Sequence, residues 1–122
     1  KWAKSKNISM AVCTNKQERL AIDLLKKLNM DEYFEYTAGS DTFEFNKPDP
    51  RHLTNVVEII GGDLNKTIMV GDSEVDAMSA SNAKLPFVLV ENGYTEKTTN
   101  EIKHNVLIKD FVNFKKIIEK YL

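Results

Sequence analysis

Two carboxylates four positions apart are the clearest chemical signal in this sequence. Asp72 and Asp76 close the stretch of residues 68–76, in which a short apolar run stops abruptly at Gly71. At the start of a helix this spacing puts both carboxylates on the same side, where they repel unless a cation or a lysine lies between them. Carboxylate oxygens are the hard ligands that Mg²⁺ takes, so the pair indicates a metal site. A helix cap formed by Asp72 and Ser73 is the purely structural alternative.

Two other loops supply complementary polar groups. Thr14 and Asn15 follow the first predicted strand and offer a hydroxyl, an amide and backbone N–H groups at a helix start, which favours anion binding. Lys47 precedes the rigid segment Pro48-Asp49-Pro50, which would aim its ammonium. Together the three loops predict a site for a phosphate and a metal ion. Taken separately, they have structural explanations: a cap, a solvated lysine and a helix start with Asp49 as N-cap.

Alternating strands and helices position these groups. Short β-branched and apolar runs predict strands over residues 8–13, 33–38, 68–70, 86–90 and 106–108. Strands that are apolar without polar alternation are typical of sheets covered on both faces. The alternation with helices predicts an α/β protein with a mostly parallel sheet, and ligands bind at the carboxyl ends of such strands.

Apolar residues of helical period predict the helices between the strands. Asp49 and Pro50 begin one of them and Gly61-Gly62 ends it. The apolar positions are Leu20, Leu24 and Leu28 with Ala21 and Leu25 beside them in the first helix, Leu53, Val56, Val57 and Ile60 in the second, Val75 and Met78 in the third, and Phe111, Phe114, Ile118 and Tyr121 in the last. Asn92-Gly93 predicts a turn after the fourth strand.

The composition excludes several classes of protein. With 122 residues, 42% of them hydrophobic, and a net charge of −1, the chain predicts one globular domain over residues 1–122 rather than a disordered or membrane segment. Interspersed lysines and acids leave no basic stripe for nucleic acid. A single cysteine, Cys13, excludes an internal disulfide and fits a reducing cytoplasm. We therefore expect a cytoplasmic protein whose partners are neither nucleic acid nor membrane.

Three segments in fixed order carry a resemblance to a known family. They are Val12-Cys13-Thr14-Asn15-Lys16, Lys47-Pro48-Asp49-Pro50 and Val70-Gly71-Asp72-Ser73-Glu74-Val75-Asp76. They resemble the second, third and fourth motifs of the haloacid dehalogenase superfamily, most closely its phosphoglycolate phosphatase-like branch, and Asn92-Gly93-Tyr94 is similar to a loop that often follows the next strand. Lys84 stands where many relatives have glycine, a departure that we expect to affect packing more than chemistry. The resemblance implies a Rossmann-like, three-layer core.

The resemblance also implies a role for each site residue. Thr14 binds an oxygen of the transferring phosphoryl group, with Asn15 assisting, and Lys47 neutralises charge on the nucleophile and the phosphoryl oxygens. Asp72 binds Mg²⁺, and Asp76 binds it directly or through water while orienting Lys47. The implied reaction is Mg²⁺-dependent hydrolysis of a small phosphorylated metabolite, most closely 2-phosphoglycolate, through an aspartyl-phosphate.

The family's first motif, an Asp-x-Asp signature that supplies the nucleophile, does not occur between Lys1 and Leu122. The resemblance therefore implies that this chain is the carboxyl-terminal part of a phosphatase, without nucleophile or cap. The strand that carries the motif belongs between the strands ending at Thr14 and Gly71. Without it the sheet is incomplete, and we expect the isolated chain to be poorly stable or to self-associate.

Other functions remain open at this point. One alternative is another branch of the superfamily, such as a pyrophosphatase, a sugar phosphatase or a phosphomutase. Another is a non-catalytic pseudoenzyme module that keeps the phosphate pocket. Dehalogenation is disfavoured, because the paired Asp72 and Asp76 suit a metal that dehalogenation does not need.

Overall fold

The computed structural model describes residues 2–90, 104, 106–108 and 114–121. Within these ranges helices and strands alternate from α1 to β4, and β5 and α5 follow. The strands are β1 (Ala11–Cys13), β2 (Tyr36–Ala38), β3 (Met69–Gly71), β4 (Phe87–Val90) and β5 (Val106–Ile108). The helices are α1 (Trp2–Ser5), α2 (Glu18–Lys27), α3 (Pro50–Ile59), α4 (Glu74–Asn82) and α5 (Phe114–Tyr121), with 3₁₀ turns at Asp31–Tyr33 and Leu64–Lys66.

The strands form two separate parallel sheets. In the smaller, β1 pairs with β2, and Val12 lies opposite Thr37. In the larger, β4 lies between β3 and β5, with Val88 opposite Val70 on one side and Val106 on the other. Within the described residues β1 and β3 do not pair. The α/β class and the incomplete parallel sheet are confirmed. The gap between the two sheets lies between β1 and β3, where the sequence analysis expects the strand that carries the family's first motif.

The main hydrophobic core lies between β4 and the helices α3 and α4. Phe87 and Leu89 of β4 are buried against Leu53 of α3 and against Ala77 and Ala80 of α4. The small side chains of α4 allow this helix to lie close to the sheet. The loop that carries Asp72 and Ser73 therefore leads into a helix of the main core.

The strands are shorter than the sequence predicts. The first predicted strand, residues 8–13, begins only at Ala11, the first residue that pairs with β2. The second, residues 33–38, is divided into the 3₁₀ turn at Asp31–Tyr33 and β2. The third moves by one residue to Met69–Gly71 and is half-buried rather than fully covered, since β4 is its one pairing partner among the described residues.

Most of the predicted apolar stripe of α2 is not part of the core, since only Ala21 of its five residues is buried. Leu20, Leu24 and Leu28 are 46–56% exposed, because α2 turns Ala21 towards β2. Val75 and Met78 of α4 are likewise exposed. Helical periodicity identifies the apolar face of a helix, but it does not identify which residues of that face contact the sheet.

The helix ends follow local rules. Asp49 caps α3 by accepting a hydrogen bond from the Arg51 N–H at 2.9 Å, and Pro50 occupies the first helical position, as predicted. At the other end of α3 the Gly62 N–H donates to the Val57 carbonyl at 2.8 Å, while Gly61 is left-handed with φ 71°. This is the Schellman arrangement, which the predicted Gly61-Gly62 stop favours.

Lys84 occupies the corresponding position after α4. It has φ 60°, the Leu85 N–H donates to the Ala80 carbonyl at 2.8 Å, and the Lys84 N–H donates to the Ser81 carbonyl at 3.1 Å. A left-handed conformation strains every residue with a side chain and suits glycine. Lysine in place of glycine at position 84 therefore strains the backbone at the end of α4.

Some sequence predictions fall outside the described residues. These are the turn at Asn92-Gly93-Tyr94 and the position of Phe111. The predicted last helix is observed as α5, in which Ile118 is buried. The part of the chain that the structure describes contains no helix that is both long and apolar enough to cross a membrane.

Candidate active site

The predicted site residues come together at the carboxyl ends of β1 and β3. A cavity of about 560 Å³ opens between the two sheets, and all five predicted residues line it. They are Thr14, Asn15, Lys47, Asp72 and Asp76, and they are joined by Ser73. The three loops that carry these residues therefore form one site.

A buried ion pair forms the centre of this site. The Lys47 ammonium donates to Asp76 Oδ1 at 2.5 Å, and the side chains of Lys47 and Asp76 are only 9% and 11% exposed. The second oxygen of Asp76 accepts hydrogen bonds from the Ser73 hydroxyl at 3.0 Å and from the Asp72 N–H at 3.3 Å. Buried charges are tolerated when they are paired and hydrogen-bonded in this way.

The start of α4 fixes the Asp76 carboxylate locally. Ser73 is the N-cap, and its hydroxyl accepts a hydrogen bond from the Asp76 N–H at 3.2 Å. Gly71 packs directly against the same side chain, because a Cβ added at Gly71 would lie 2.5–2.7 Å from Asp76 atoms. Glycine is required there for this close approach. One strand–loop–helix unit thus positions the acidic half of the site.

Contacts between loops fix the other half. The Thr14 N–H donates to the Ala38 carbonyl at 3.0 Å, and the Thr14 hydroxyl accepts from the Lys16 N–H at 3.1 Å. The Asn15 side-chain amide donates to the Lys47 carbonyl at 3.3 Å. Lys47 precedes a cis peptide bond to Pro48. Asn15 therefore holds the backbone of the lysine loop.

Cys13 lines the same cavity without being a reactive thiol. Burial raises the pKa of Cys13 to about 11, against the opposing effect of the Lys47 charge and with a further increase from Asp76. Nucleophilic cysteines instead have lowered pKa values, because the thiolate is the reactive form. At neutral pH the Cys13 thiol stays protonated and serves as a small apolar side chain.

The donor set suits Mg²⁺ bound by few protein ligands. Among the described residues no group of three or more His, Cys, Asp or Glu side chains could hold a metal ion. Asp72 lines the cavity, whereas both oxygens of Asp76 accept hydrogen bonds from protein donors. Mg²⁺ in phosphoryl-transfer sites commonly uses one or two carboxylates and completes its shell with water and substrate phosphate. The residues present fit such an ion.

Sequence reasoning missed two residues that support the site. Ser73 is predicted only as a cap, whereas in the structure its hydroxyl also donates to the Asp76 carboxylate three positions later. His52 lies in the first turn of the predicted second helix, and its sequence context indicates neither a metal cluster nor a Cys-His nucleophile pair. In the structure it is buried, with Nε2 3.2 Å from the Gly39 carbonyl oxygen.

Comparisons with known proteins identify the family of this chain. Residues 1–90 match the family model described as haloacid dehalogenase-like hydrolase. A phosphoglycolate phosphatase of Agrobacterium fabrum is 44% identical over 118 residues, which cover 93% of this chain and 51% of that protein. A phosphoglycolate phosphatase of Mesorhizobium japonicum is 42% identical over 102 residues, covering 84% of this chain and 45% of the relative. The chain spans about half the length of the curated relatives it matches.

Solved structures show the same fold. The crystal structure described as a predicted phosphoglycolate phosphatase from Haemophilus somnus 129PT aligns with a TM-score of 0.89 and 25% identity, over 95% of this chain and 52% of that one. A HAD-superfamily hydrolase from Geobacter sulfurreducens aligns with a TM-score of 0.76 and 25% identity, over 91% of this chain and 49% of that one. By its sequence, its fold and the convergence of its motifs on one cavity, the chain belongs to the haloacid dehalogenase-like hydrolase family.

Proposed function

We propose that the protein containing this chain is a Mg²⁺-dependent phosphomonoester hydrolase that works through an aspartyl-phosphate, with 2-phosphoglycolate as substrate. The observation that carries the proposal is the convergence of Thr14, Lys47 and Asp72 on one cavity, with Lys47 held by the buried Asp76. The substrate is taken from the relatives named phosphoglycolate phosphatase. Residues 1–122 form one core domain of this protein.

Each residue of the cavity has a distinct task in this proposal. The Thr14 hydroxyl donates to an oxygen of the phosphoryl group, and Asn15 assists from the same loop while it holds the lysine loop. The Lys47 ammonium has three N–H donors, of which Asp76 takes one, and it neutralises the charge that develops on the phosphoryl oxygens. Asp72 would hold Mg²⁺ directly and Asp76 through water, and the bound ion would supply further charge neutralisation.

The nucleophile lies outside residues 1–122 in this proposal. The sequence has no Asp-x-Asp motif, and the Cys13 thiol is protonated at neutral pH. The single reduced cysteine also supports a cytoplasmic location.

The test is hydrolysis of 2-phosphoglycolate by the full-length protein with Mg²⁺. We expect turnover that is lost when Mg²⁺ is removed, and a fall of about 10²–10³-fold in kcat for Lys47→Ala and Thr14→Ala. Lys66→Ala is the matched control, because this lysine is exposed in the 3₁₀ turn before β3.

Three outcomes would contradict the proposal. Turnover by residues 1–122 alone would require a nucleophile within this chain. Faster turnover of pyrophosphate or of a sugar phosphate would reassign the substrate. Binding of phosphate by the full-length protein without any turnover would favour a non-catalytic phosphate-binding module.

A further inference from the structure

His52 is a fully buried imidazole that no step of the proposed reaction uses. It lies in the first turn of α3 with 0% exposure, and its ring meets Phe43 edge-on at 5.6 Å between centroids. Its Nε2 lies 3.2 Å from the Gly39 carbonyl oxygen. Because a carbonyl only accepts, Nε2 carries the proton. Nδ1 has no hydrogen-bond partner among the described residues, so the Gly39 contact is the one directional bond of this ring that the structure records.

The ring is electrically neutral under physiological conditions. Burial lowers the pKa of His52; the bond to Gly39 raises it, and the Lys47 charge lowers it further. A neutral ring with its proton on Nε2 donates to the Gly39 carbonyl without adding a positive charge.

Gly39 is pressed against the loop that carries Thr14. A Cβ at Gly39 would lie within 2.6 Å of the Lys16 carbonyl oxygen and of the Glu18 nitrogen. The next residue of the Gly39 loop, Ser40, donates its N–H to the Lys16 carbonyl at 2.8 Å. A displacement of Gly39 is therefore transmitted to the turn that follows Thr14.

From this geometry we propose that His52 is a positioning residue that sets the spacing between Thr14 and Lys47. Its helix begins directly after the lysine loop, and its Nε2–H fastens that helix to the loop that supports Thr14. This hydrogen bond thus links the supports of the Thr14 loop and of the Lys47 loop, in addition to the bond from the Asn15 amide to the Lys47 carbonyl. The kinetic consequence rests on the proposed phosphatase function.

The test compares His52→Leu with His52→Gln in the full-length protein. Leucine fills the space without a donor, whereas the glutamine amide can donate to Gly39. We expect His52→Leu to lower kcat and kcat/KM together by up to about 10²-fold, as for a displaced catalytic geometry, and His52→Gln to restore most of the rate. Val57→Ala is the matched control, because Val57 is also buried in α3 but does not bond to Gly39. It is expected to lower Tm and to leave kcat unchanged.

A second readout does not depend on activity. In ¹⁵N-edited NMR spectra of the full-length protein, His52 is expected as the neutral tautomer with its proton on Nε2. The amide signals of Thr14 and Lys47 are expected to shift in His52→Leu, to return in His52→Gln and to stay in place in Val57→Ala. If the wild type hydrolyses no phosphomonoester, the proposed function fails and these signals alone decide the inference.

Three results would overturn the inference. They are an unchanged kcat in His52→Leu, a loss that His52→Gln does not restore, and equal loss in Val57→Ala. Unshifted Thr14 and Lys47 signals in His52→Leu would overturn it as well.

Discussion

The two halves of the site are built in different ways. The acidic half, around Asp72 and Asp76, is held by contacts within one strand–loop–helix unit on the better-buried sheet. The half around Thr14 and Lys47 is held by hydrogen bonds between loops, such as the one from Asn15 to the Lys47 carbonyl, 32 positions away. Local contacts form together with their element, whereas contacts between loops depend on the packing of the whole domain. The site therefore joins a self-contained half to a half that requires the rest of the fold.

The largest expected effect concerns the division between the sheets. Residues 1–122 expressed alone leave the facing edges of β1 and β3 unpaired within the described residues. Unpaired edges are templates for association with another chain. We expect self-association or loss of a cooperative thermal transition, measured by sedimentation and calorimetry. A monomer that melts cooperatively would show that the two sheets are stable without a strand between them.

The next effect tests the acidic half. Asp76→Ala leaves the Lys47 ammonium buried without its partner, and we expect a loss of about 3–5 kcal/mol in the free energy of unfolding. The double variant Lys47→Met, Asp76→Leu is expected to recover stability and to remain inactive. Urea denaturation measures the free energy of unfolding of the single and the double variant, and hydrolysis of the phosphomonoester measures their activity. Asp23→Ala, at an exposed position of α2, is the control for loss of a carboxylate.

A smaller effect tests the loop-built half. Gly39→Ala forces a Cβ into the backbone of Lys16 and Glu18, and we expect a loss of about 1–3 kcal/mol in the free energy of unfolding together with reduced kcat. Gly61→Ala is matched to it, since its Cβ would meet no atom of the described residues within 4 Å. With φ 71° at Gly61, this control costs about 1 kcal/mol and leaves kcat unchanged. Equal kinetic effects in both variants would argue against a support role for Gly39.

The smallest effect lies away from the site. Lys84→Gly removes a side chain from a left-handed position with φ 60°, and we expect a gain of about 0.5–1 kcal/mol in the free energy of unfolding. Thermal denaturation measures the gain, and kcat should not change. A loss of stability would mean that the Lys84 side chain makes contacts that outweigh the backbone strain.

Much of the fold could be predicted from local patterns. The N-cap Asp49, Pro50 and the apolar spacing of Leu53, Val56 and Val57 correctly predicted α3 and its buried face. These signals act over a few residues, as helix capping and periodicity do. The same periodicity failed for Leu20, Leu24 and Leu28, because the flank that meets the sheet depends on distant elements.

The site could be predicted as a set of residues, but of its contacts only the one between Asp76 and Lys47 is among the expectations from the sequence. Motif spacing picked out side chains that all line one cavity, while their roles stay proposals. The hydrogen bond from His52 to Gly39 joins a helix to a loop 13 positions earlier, and no local pattern indicates it. The same is true of the close approach of Gly71 to Asp76, which depends on exact backbone placement.

The ion pair of Lys47 with Asp76 also bears on how fast an anion reaches the cavity. Because the two opposite charges lie 2.5 Å apart, they act at a distance as a dipole rather than as a net positive charge. A dipole's field falls off more steeply than that of a single charge, so the pair itself gives little long-range steering. If the proposed substrate class is right, capture of the phosphorylated metabolite depends on short-range hydrogen bonds made after the encounter, and the pair contributes little to the ionic-strength dependence of the association rate.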